Sequence, residues 1–168
     1  MPSLDQIDGK PKEYIEKIME YAKTPTGFLL LAGSNGTGKS FIAQALYSAY
    51  HEHDRDYKMF ISQTDLNLKW QKQIKDWGET TYLLNEFVRT KILVLDDIGT
   101  RTPTESFMDF LYAIADKRYE NKFNCSTIIT TNLNSQNMRA RFGDAFVSRV
   151  ASGVCLRYDG QDRRFQEF

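Results

Sequence analysis

The chain has 168 residues, of which 41% are hydrophobic and 26% are charged. This length and composition indicate one globular domain with a sizeable core. The 22 basic and 22 acidic side chains cancel, so no overall field attracts nucleic acid or membranes. The apolar runs, about five residues long, are too short to span a bilayer.

Apolar runs alternate with helical patterns along a single domain, residues 1–168. We predict an N-terminal helix within residues 1–24, a helix over 42–50, insertion helices over 63–89 and a tail at 159–168. The sequence predicts five strands, at 28–32, 57–62, 91–97, 125–131 and 153–159. This alternation, with continuous apolar strands, is typical of an α/β fold whose parallel sheet is covered on both faces.

One helix start has a distinct signature in the sequence TPTE. Thr102, Pro103 and Glu105 have the order of an N-cap, a first-turn proline and the glutamate of a capping box. Apolar residues then recur at helical spacing, at Phe107, Phe110, Leu111, Ile114 and Ala115. We therefore predict a helix that begins directly after Thr102.

The cysteines and histidines do not form a metal-binding or redox pattern. Cys125 and Cys155 lie on predicted strands, and we interpret them as reduced core residues, with a disulfide or a metal as the alternative. His51 and His53, in the polar stretch HEHDRD, are interpreted as solvated surface residues. The first residues, MPSLDQIDGKPKEY, have no signal-peptide pattern, so we expect a cytoplasmic protein without a membrane partner.

The sequence GSNGTGKS directly follows the apolar run FLLLA and has the pattern G-x-x-x-x-G-K-S between a strand and a helix. Glycines let successive backbone N–H groups point at phosphates, and the helix N-terminus adds its dipole. Lys39 would contact the β- and γ-phosphates, and the Ser40 hydroxyl would bind Mg²⁺. The predicted nucleotide-contacting residues are Gly33, Ser34, Asn35, Gly36, Thr37, Gly38, Lys39, Ser40 and Phe41.

Polar residues end two further strands. Asp96 and Asp97 end ILVLDD, where Asp96 could hold Mg²⁺ and Asp97 could orient or deprotonate the attacking water. Asn132, after the fourth strand, could hydrogen-bond the γ-phosphate and the water. The alternative for all three is an ordinary turn residue. The pattern predicts a protein that binds, and hydrolyses, a nucleoside triphosphate.

Arginine replaces lysine in the last part of the chain. After Lys122 there is no lysine, and the six arginines are Arg139, Arg141, Arg149, Arg157, Arg163 and Arg164. Guanidinium is the better planar phosphate ligand. Arg149, on a short helical stretch before the last strand, is a candidate for an arginine finger in a neighbouring subunit's site. A surface salt bridge is the alternative.

The insertion between the second and third strands mixes lysines with tryptophans. Its candidate single-stranded-DNA contacts are Lys69, Trp70, Lys72, Lys75 and Trp77. Four acidic residues cancel this basic charge. The lysines could equally form a solvated face, with the tryptophans in the core.

Taken together, GSNGTGKS, ILVLDDIG, a helix ending in DKRYE, STIITTN and SRV resemble the AAA+ ATPases of the DnaC/DnaI helicase-loader and IstB transposition-helper clade, over roughly residues 12–165. The resemblance implies a three-layer αβα P-loop NTPase with sheet order 5-1-4-3-2 and ATP·Mg²⁺ bound between subunits. It assigns Lys39 and Ser40 to Walker A, Asp96 and Asp97 to Walker B, Asn132 to sensor 1 and Arg149 to the finger.

The chain departs from this family pattern at several points. The tail YDGQDRR resembles the ending G-x-S-x-R, which gives Arg164 a sensor-2 role, although Asp162 replaces the serine. Asp97 stands where many AAA+ enzymes have glutamate, so we expect slow hydrolysis, stimulated by assembly or DNA. We also expect an ATPase core without a full helical lid domain.

The resemblance favours a DNA-replication ATPase that loads a replicative helicase through ATP-dependent self-association and single-stranded-DNA binding. The alternatives are a transposition helper that acts on duplex DNA and a nucleotide-switched adaptor with little turnover. A small-molecule kinase would leave Asn132 and Arg149 unexplained.

Overall fold

A computed structural model describes residues 2–50 and 57–160. One sheet of five parallel strands forms its centre, in the order β2-β3-β4-β1-β5. Counted from the other edge this is 5-1-4-3-2, so the predicted order is confirmed. The strands are β1 Gly27–Ala32, β2 Lys58–Ser62, β3 Ile92–Ile98, β4 Ser126–Thr131 and β5 Val154–Arg157.

Helices cover both faces of the sheet. Because successive side chains of a strand point to opposite faces, Phe28 and Leu30 join one apolar cluster, and Leu29 and Leu31 join the other. The described helices are α1 Lys12–Lys23, α2 Lys39–Ala49, α3 Gln63–Trp77, α4 Thr81–Arg89, α5 Glu105–Glu120 and α6 Ser135–Val150, and a 3₁₀ turn spans Leu4–Gln6. Helices α1 and α2 pack on one face and α4, α5 and α6 on the other. The three-layer α/β prediction is therefore confirmed.

Two helices differ from their predicted bounds. Helix α5 begins at Glu105, and its N-cap is Thr104, whose hydroxyl accepts a hydrogen bond from the Phe107 N–H. The predicted start after Thr102 is wrong because Thr104, two residues later, supplies the cap. Helix α6 is longer than the short stretch predicted around Arg149, and non-helical backbone at Gly143 interrupts it.

The cysteine prediction is correct at one position only. Cys125 is buried at the start of β4, whereas Cys155 is exposed because β5 is an edge strand with part of its surface uncovered. Both are free thiols, and burial raises the pKa of Cys125. His51, His53, Arg163 and Arg164 lie outside the described residues. None of the helices in the described ranges is long and apolar enough to cross a membrane.

Arg118 of α5 is fully buried and ties α4 to the sheet. Its guanidinium donates to the carbonyls of Phe87 (2.8 Å), Val88 (3.4 Å) and Thr90 (2.6 Å) at the C-terminal end of α4. It also donates to the Ser126 carbonyl and the Thr127 hydroxyl at the start of β4. None of these five bonds goes to a carboxylate. Burial lowers the pKa of Arg118, and carbonyl dipoles, including those of the α4 C-terminus, stabilise its charge.

Arg118→Met should lower the free energy of unfolding by about 3 kcal/mol or more, because each buried carbonyl that loses its donor costs about 1–3 kcal/mol. The control is Lys117→Met on the same helix, where the side chain is 55% exposed. That change should stay within about 0.5 kcal/mol. Urea denaturation compares the two variants, and equal stabilities would contradict the role given to Arg118.

Candidate nucleotide-binding site

The loop between β1 and α2 wraps closely against the segment that follows β5. A Cβ atom on Gly33 would lie 1.9 Å from the Tyr158 carbonyl oxygen, so only glycine fits there. The Ser34 N–H donates to the Asp159 carboxylate (3.0 Å), and the Ser34 hydroxyl donates to the Gly160 carbonyl (3.0 Å). These contacts attach the first half of the loop, Gly33 and Ser34, to the segment that follows β5.

Lys39, the first residue of α2, crosses the loop that precedes it. Its side chain is buried, and its ammonium donates to the carbonyls of Gly33 (3.0 Å) and Ser34 (2.7 Å). The loop carbonyls thus hold a positive charge beside the loop. The contact of Lys39 with the β- and γ-phosphates stays a prediction of the Walker A interpretation.

A cavity of about 590 Å³ opens beside the loop. From the loop and α2 it is lined by Asn35, Gly36, Gly38, Lys39, Ser40, Phe41 and Ile42, and from the ends of β3 and β4 by Asp97, Thr100 and Asn132. Its volume lies in the range of small-molecule sites. The structure therefore brings together four residues that the sequence analysis assigned to different strands and motifs: Lys39, Ser40, Asp97 and Asn132.

The N-terminal segment forms a wall that the sequence analysis missed. Gln6, Ile7, Asp8 and Lys10 line the same cavity. The Lys10 ammonium donates to the Thr37 carbonyl and lies 4.3 Å from the centre of the Tyr158 ring. No motif marks these residues, because their position depends on the tertiary packing of the segment before α1.

Asp96 and Asp97 lie at an irregularity in the pairing of β3 with β4. Leu95 pairs with Ile129 but Ile98 pairs with Thr131, so β3 has one extra residue there, as in a β-bulge. Asp97 has φ 60°, a left-handed conformation that is uncommon for residues other than glycine. The bulge exposes Asp97 at the cavity, while Asp96 remains half-buried.

Thr130 holds both aspartates. Its hydroxyl donates to Asp96 Oδ1 (2.6 Å) and accepts from the Asp97 N–H (2.8 Å). Asp96 retains its second carboxylate oxygen for a ligand. The Asp96 carboxylate and the exposed Ser40 hydroxyl are hard oxygen donors of the kind that Mg²⁺ prefers, so their chemistry fits the ion, although Asp96 does not line the cavity.

Arg149 does not line the cavity of its own chain. Its Nε donates to the Asp116 carboxylate at 2.9 Å, and its guanidinium carbon lies 5.1 Å from the centre of the Tyr119 ring. The hydrogen bond to Asp116 raises the pKa of Arg149. The surface salt bridge considered as the alternative does exist, and the Arg149 side chain in it is about one-third exposed.

The two tryptophans of α3 have different environments. Trp70 packs against the core, with its ring centre 5.5 Å from that of Phe107, whereas Trp77 is 73% exposed at the end of the helix. Lys69 pairs with Glu86 at 2.6 Å, and Lys72 and Lys75 are exposed. Trp77, Lys72 and Lys75 are therefore accessible to a strand of nucleic acid, and Trp70 is accessible only in part.

Comparison with known proteins gives a family match. The family model described as IstB-like ATP binding protein matches residues 15–151. The replicative helicase loader DnaC of Escherichia coli (strain K12) is 25% identical over 148 residues, which cover 88% of this chain. The match spans 58% of the length of that relative.

Solved structures agree on the fold. A crystal structure of the DnaC helicase loader superposes with a TM-score of 0.79 at 24% identity, over 93% of this chain and 96% of that one. A replication initiator DnaA, bound to AMPPCP and single-stranded DNA, gives a TM-score of 0.80 at 20% identity, over 95% of this chain and 50% of that one. The described part of the chain therefore has the fold of these proteins.

Lys39→Ala should weaken binding of a fluorescent ATP analogue at least ~100-fold, or about 2.8 kcal/mol, because it removes the cation inside the phosphate loop. Lys12→Ala is the matched control, since that side chain is 91% exposed on α1. Equilibrium titration of both variants measures the difference. Equal affinities for Lys39→Ala and wild type would contradict this location of the triphosphate.

Proposed function

Because the chain belongs to the IstB-like ATP-binding protein family, we propose that it is an ATPase of DNA replication, of the helicase-loader kind. In this proposal it hydrolyses ATP to ADP and phosphate, self-associates around the nucleotide and binds single-stranded DNA. The observation that carries the ATPase proposal is the convergence of Lys39, Ser40, Asp97 and Asn132 on one cavity.

Each residue has a role that its position supports. Lys39 and the loop N–H groups would hold the β- and γ-phosphates, and Mg²⁺, held by Ser40 and Asp96, would neutralise developing charge. Asp97 would orient the attacking water and accept its proton, while the Asn132 amide donates to the γ-phosphate. The water oxygen would bond to the γ-phosphorus as the bond from that phosphorus to the bridging oxygen breaks, and ADP would leave with the bridging oxygen. The short side chain of Asp97 supports slow turnover.

Self-association completes the site in this proposal. Arg149 lies outside its own cavity, in the last turn of α6. Its side chain is partly exposed, as a residue that enters a neighbouring subunit's site must be. The cavity would then receive the arginine of the adjacent copy.

A replicative helicase and single-stranded DNA are the proposed partners. The similarity to DnaC supports the helicase, and the DnaA structure shows a related fold on single-stranded DNA. On this chain, Trp77 supplies an exposed aromatic ring, with Lys72 and Lys75 exposed on the same helix. The family name also supports a second candidate, a transposition helper that acts on duplex DNA. Relative affinity for single-stranded and duplex oligonucleotides separates the two.

We expect Trp77→Ala to weaken binding of an oligothymidine by ~1–3 kcal/mol, the loss associated with one stacked base. Tyr82→Ala is the matched control, because Tyr82 on α4 is equally exposed, at 73%. Fluorescence anisotropy at several salt concentrations measures both, and affinity should fall as salt rises. If the Trp77 variant keeps wild-type affinity at each salt concentration, stacking on α3 is not part of DNA binding.

Mixing two inactive variants tests the arginine finger. Arg149→Ala binds ATP but offers no finger, and Lys39→Ala offers a finger but does not bind ATP. In a mixture, some interfaces pair the intact halves, so the phosphate-release rate should recover in part. Such a finger is worth ~10³–10⁵ in rate.

In the matched control, Arg149→Ala is mixed with the double variant Lys39→Ala/Arg149→Ala. This mixture contains no arginine finger, so its phosphate-release rate should not recover. Arg139→Ala, an exposed arginine on the same helix, should keep the wild-type rate. Light scattering confirms that the variants assemble together. Recovery with the double variant, or no recovery in co-assembled mixtures, would rule out a finger that acts between subunits.

A further inference from the structure

Lys10, in the segment before α1, lines the nucleotide cavity together with Lys39. Its side chain is half-buried, and its ammonium donates to the Thr37 carbonyl of the loop between β1 and α2. A Cβ atom on Gly38, the N-cap of α2, would lie 3.8 Å from Lys10 Nζ. The ammonium therefore lies against the end of the loop, where α2 begins.

Two lysines from separate parts of the chain thus contact the two ends of this loop. The Lys39 ammonium donates to the carbonyls of Gly33 and Ser34, at the start of the loop, and the Lys10 ammonium donates at Thr37. The N-terminus of α2 adds a positive partial charge between them. An anion that enters the cavity is attracted by both ammonium groups and by the helix end.

Tyr158, which follows β5, contacts Lys10 and its neighbour. The centre of its ring lies 4.3 Å from Lys10 Nζ, within the range of a cation–π interaction. Its hydroxyl donates to the Gly9 carbonyl at 3.0 Å. The ring of Tyr14, on α1, lies 6.0 Å from the same ammonium. Aromatic surfaces beside a charge reduce its contact with water, which strengthens its attraction for an anion.

The position of Tyr158 is set by the end of β1, from which the loop starts. Its N–H donates to the Ala32 carbonyl at 2.9 Å. Its own carbonyl packs so closely against Gly33 that a Cβ atom there would lie 1.9 Å away. Tyr158 therefore holds the Lys10 ammonium at a defined place relative to the loop.

We propose that Lys10 is a ligand of the phosphate groups of the nucleotide, and that Tyr158 is the positioning residue that holds its ammonium at the loop. An ammonium group has three N–H donors, so the contact with the Thr37 carbonyl is compatible with a contact to a phosphate oxygen. The inference rests on the proposed function only in that ATP binds in this cavity, and it does not depend on hydrolysis or DNA.

The test compares Lys10→Met, Lys10→Arg and the control Lys12→Met, whose side chain is 91% exposed. Equilibrium titration gives the Kd of a fluorescent ATP analogue, and displacement of that analogue gives the Kd of inorganic tripolyphosphate. Lys10→Met should weaken binding of both ~10–100-fold, the effect of losing a hydrogen bond to a charged group. Lys10→Arg keeps the charge and should stay within about threefold of wild type. Lys12→Met should bind both as wild type does.

Tripolyphosphate separates a phosphate contact from a contact with the base or the ribose, because it has neither. If Lys10 binds phosphate, the loss in Lys10→Met should be similar for the two probes. A loss of affinity for the ATP analogue alone would place Lys10 at the base or the ribose and overturn the proposal.

Variants of Tyr158 test the positioning role. Tyr158→Leu removes the ring and should weaken binding ~3–30-fold, the range of a cation–π contact. Tyr158→Phe keeps the ring and should stay within about threefold of wild type. Because Tyr158 acts through Lys10, Lys10→Met should have a smaller effect in the Tyr158→Leu background than in wild type. Effects that simply multiply would contradict this role.

Wild-type affinity of Lys10→Met for both probes, or an equal loss in Lys12→Met, would also overturn the proposal. If Lys10→Met does not fold, Lys10→Gln decides in its place, since it keeps an N–H donor for Thr37 and lacks the charge. If the wild type does not bind the ATP analogue, the proposed function fails. Calorimetric titration of tripolyphosphate into wild type and Lys10→Met then tests Lys10 separately, and equal or undetectable binding would reject it as a phosphate ligand.

Discussion

The parallel direction of all five strands is the constraint on which the rest of the molecule depends. Parallel pairing places every carboxyl end at one edge of the sheet, so residues far apart in sequence meet there. The phosphate loop leaves β1, the two aspartates end β3 and Asn132 follows β4. Because β1, β4 and β3 are neighbours in the sheet, these three ends surround one cavity.

The opposite edge of the sheet has a different role. There, a buried polar network joins the starts of the strands: Arg118 binds the start of β4 and the end of α4, and Tyr21 shares a 2.5 Å hydrogen bond with Ser126. Burial raises the pKa of Tyr21 and outweighs the Ser126 hydrogen bond and the nearby Arg118 charge, which lower it, so the hydroxyl stays neutral. Buried groups of this kind are stable only when their hydrogen bonds are satisfied. The strained backbone at Asp97 thus lies at the carboxyl ends of the strands, beside the cavity. Satisfied polar contacts stabilise the amino ends of the strands.

The sequence predicted the fold and the cavity residues from the motifs because each motif follows a strand and the strands are parallel. Lys39, Asp97 and Asn132 line the same cavity, as expected for residues that follow parallel strands, and their catalytic roles stay predictions. The bulge at Asp96 and Asp97 could not be predicted, since it depends on the pairing of β3 with Thr130 across the sheet. Local signals also misplaced the start of α5, where two threonines two residues apart could each act as the N-cap.

Environment explains the remaining differences. Trp70 and Trp77 look alike in the sequence, but seven residues on a 3.6-residue helix nearly complete two turns, and α3 extends beyond the core before it reaches Trp77. Cys155 has the same strand-like surroundings in the sequence as Cys125, yet the edge position of β5 exposes it. The cavity wall that includes Ile7 and Lys10 has no sequence signal, because it is formed by the tertiary packing of the segment before α1.

The contacts of Arg149 make a surface salt bridge and an arginine finger compatible. Both side chains of the Arg149–Asp116 pair are about one-third exposed. Ion pairs of this exposure contribute little net stability, because water solvates both charges well. The pair orients the guanidinium over Tyr119 without holding it tightly. A neighbouring triphosphate carries more negative charge than one carboxylate and accepts the planar guanidinium in two bonds. Replacing the ion pair with Asp116 by a contact with a phosphate would therefore cost little free energy. Until then, the ion pair would keep Arg149 extended toward the surface from which an arginine finger would act.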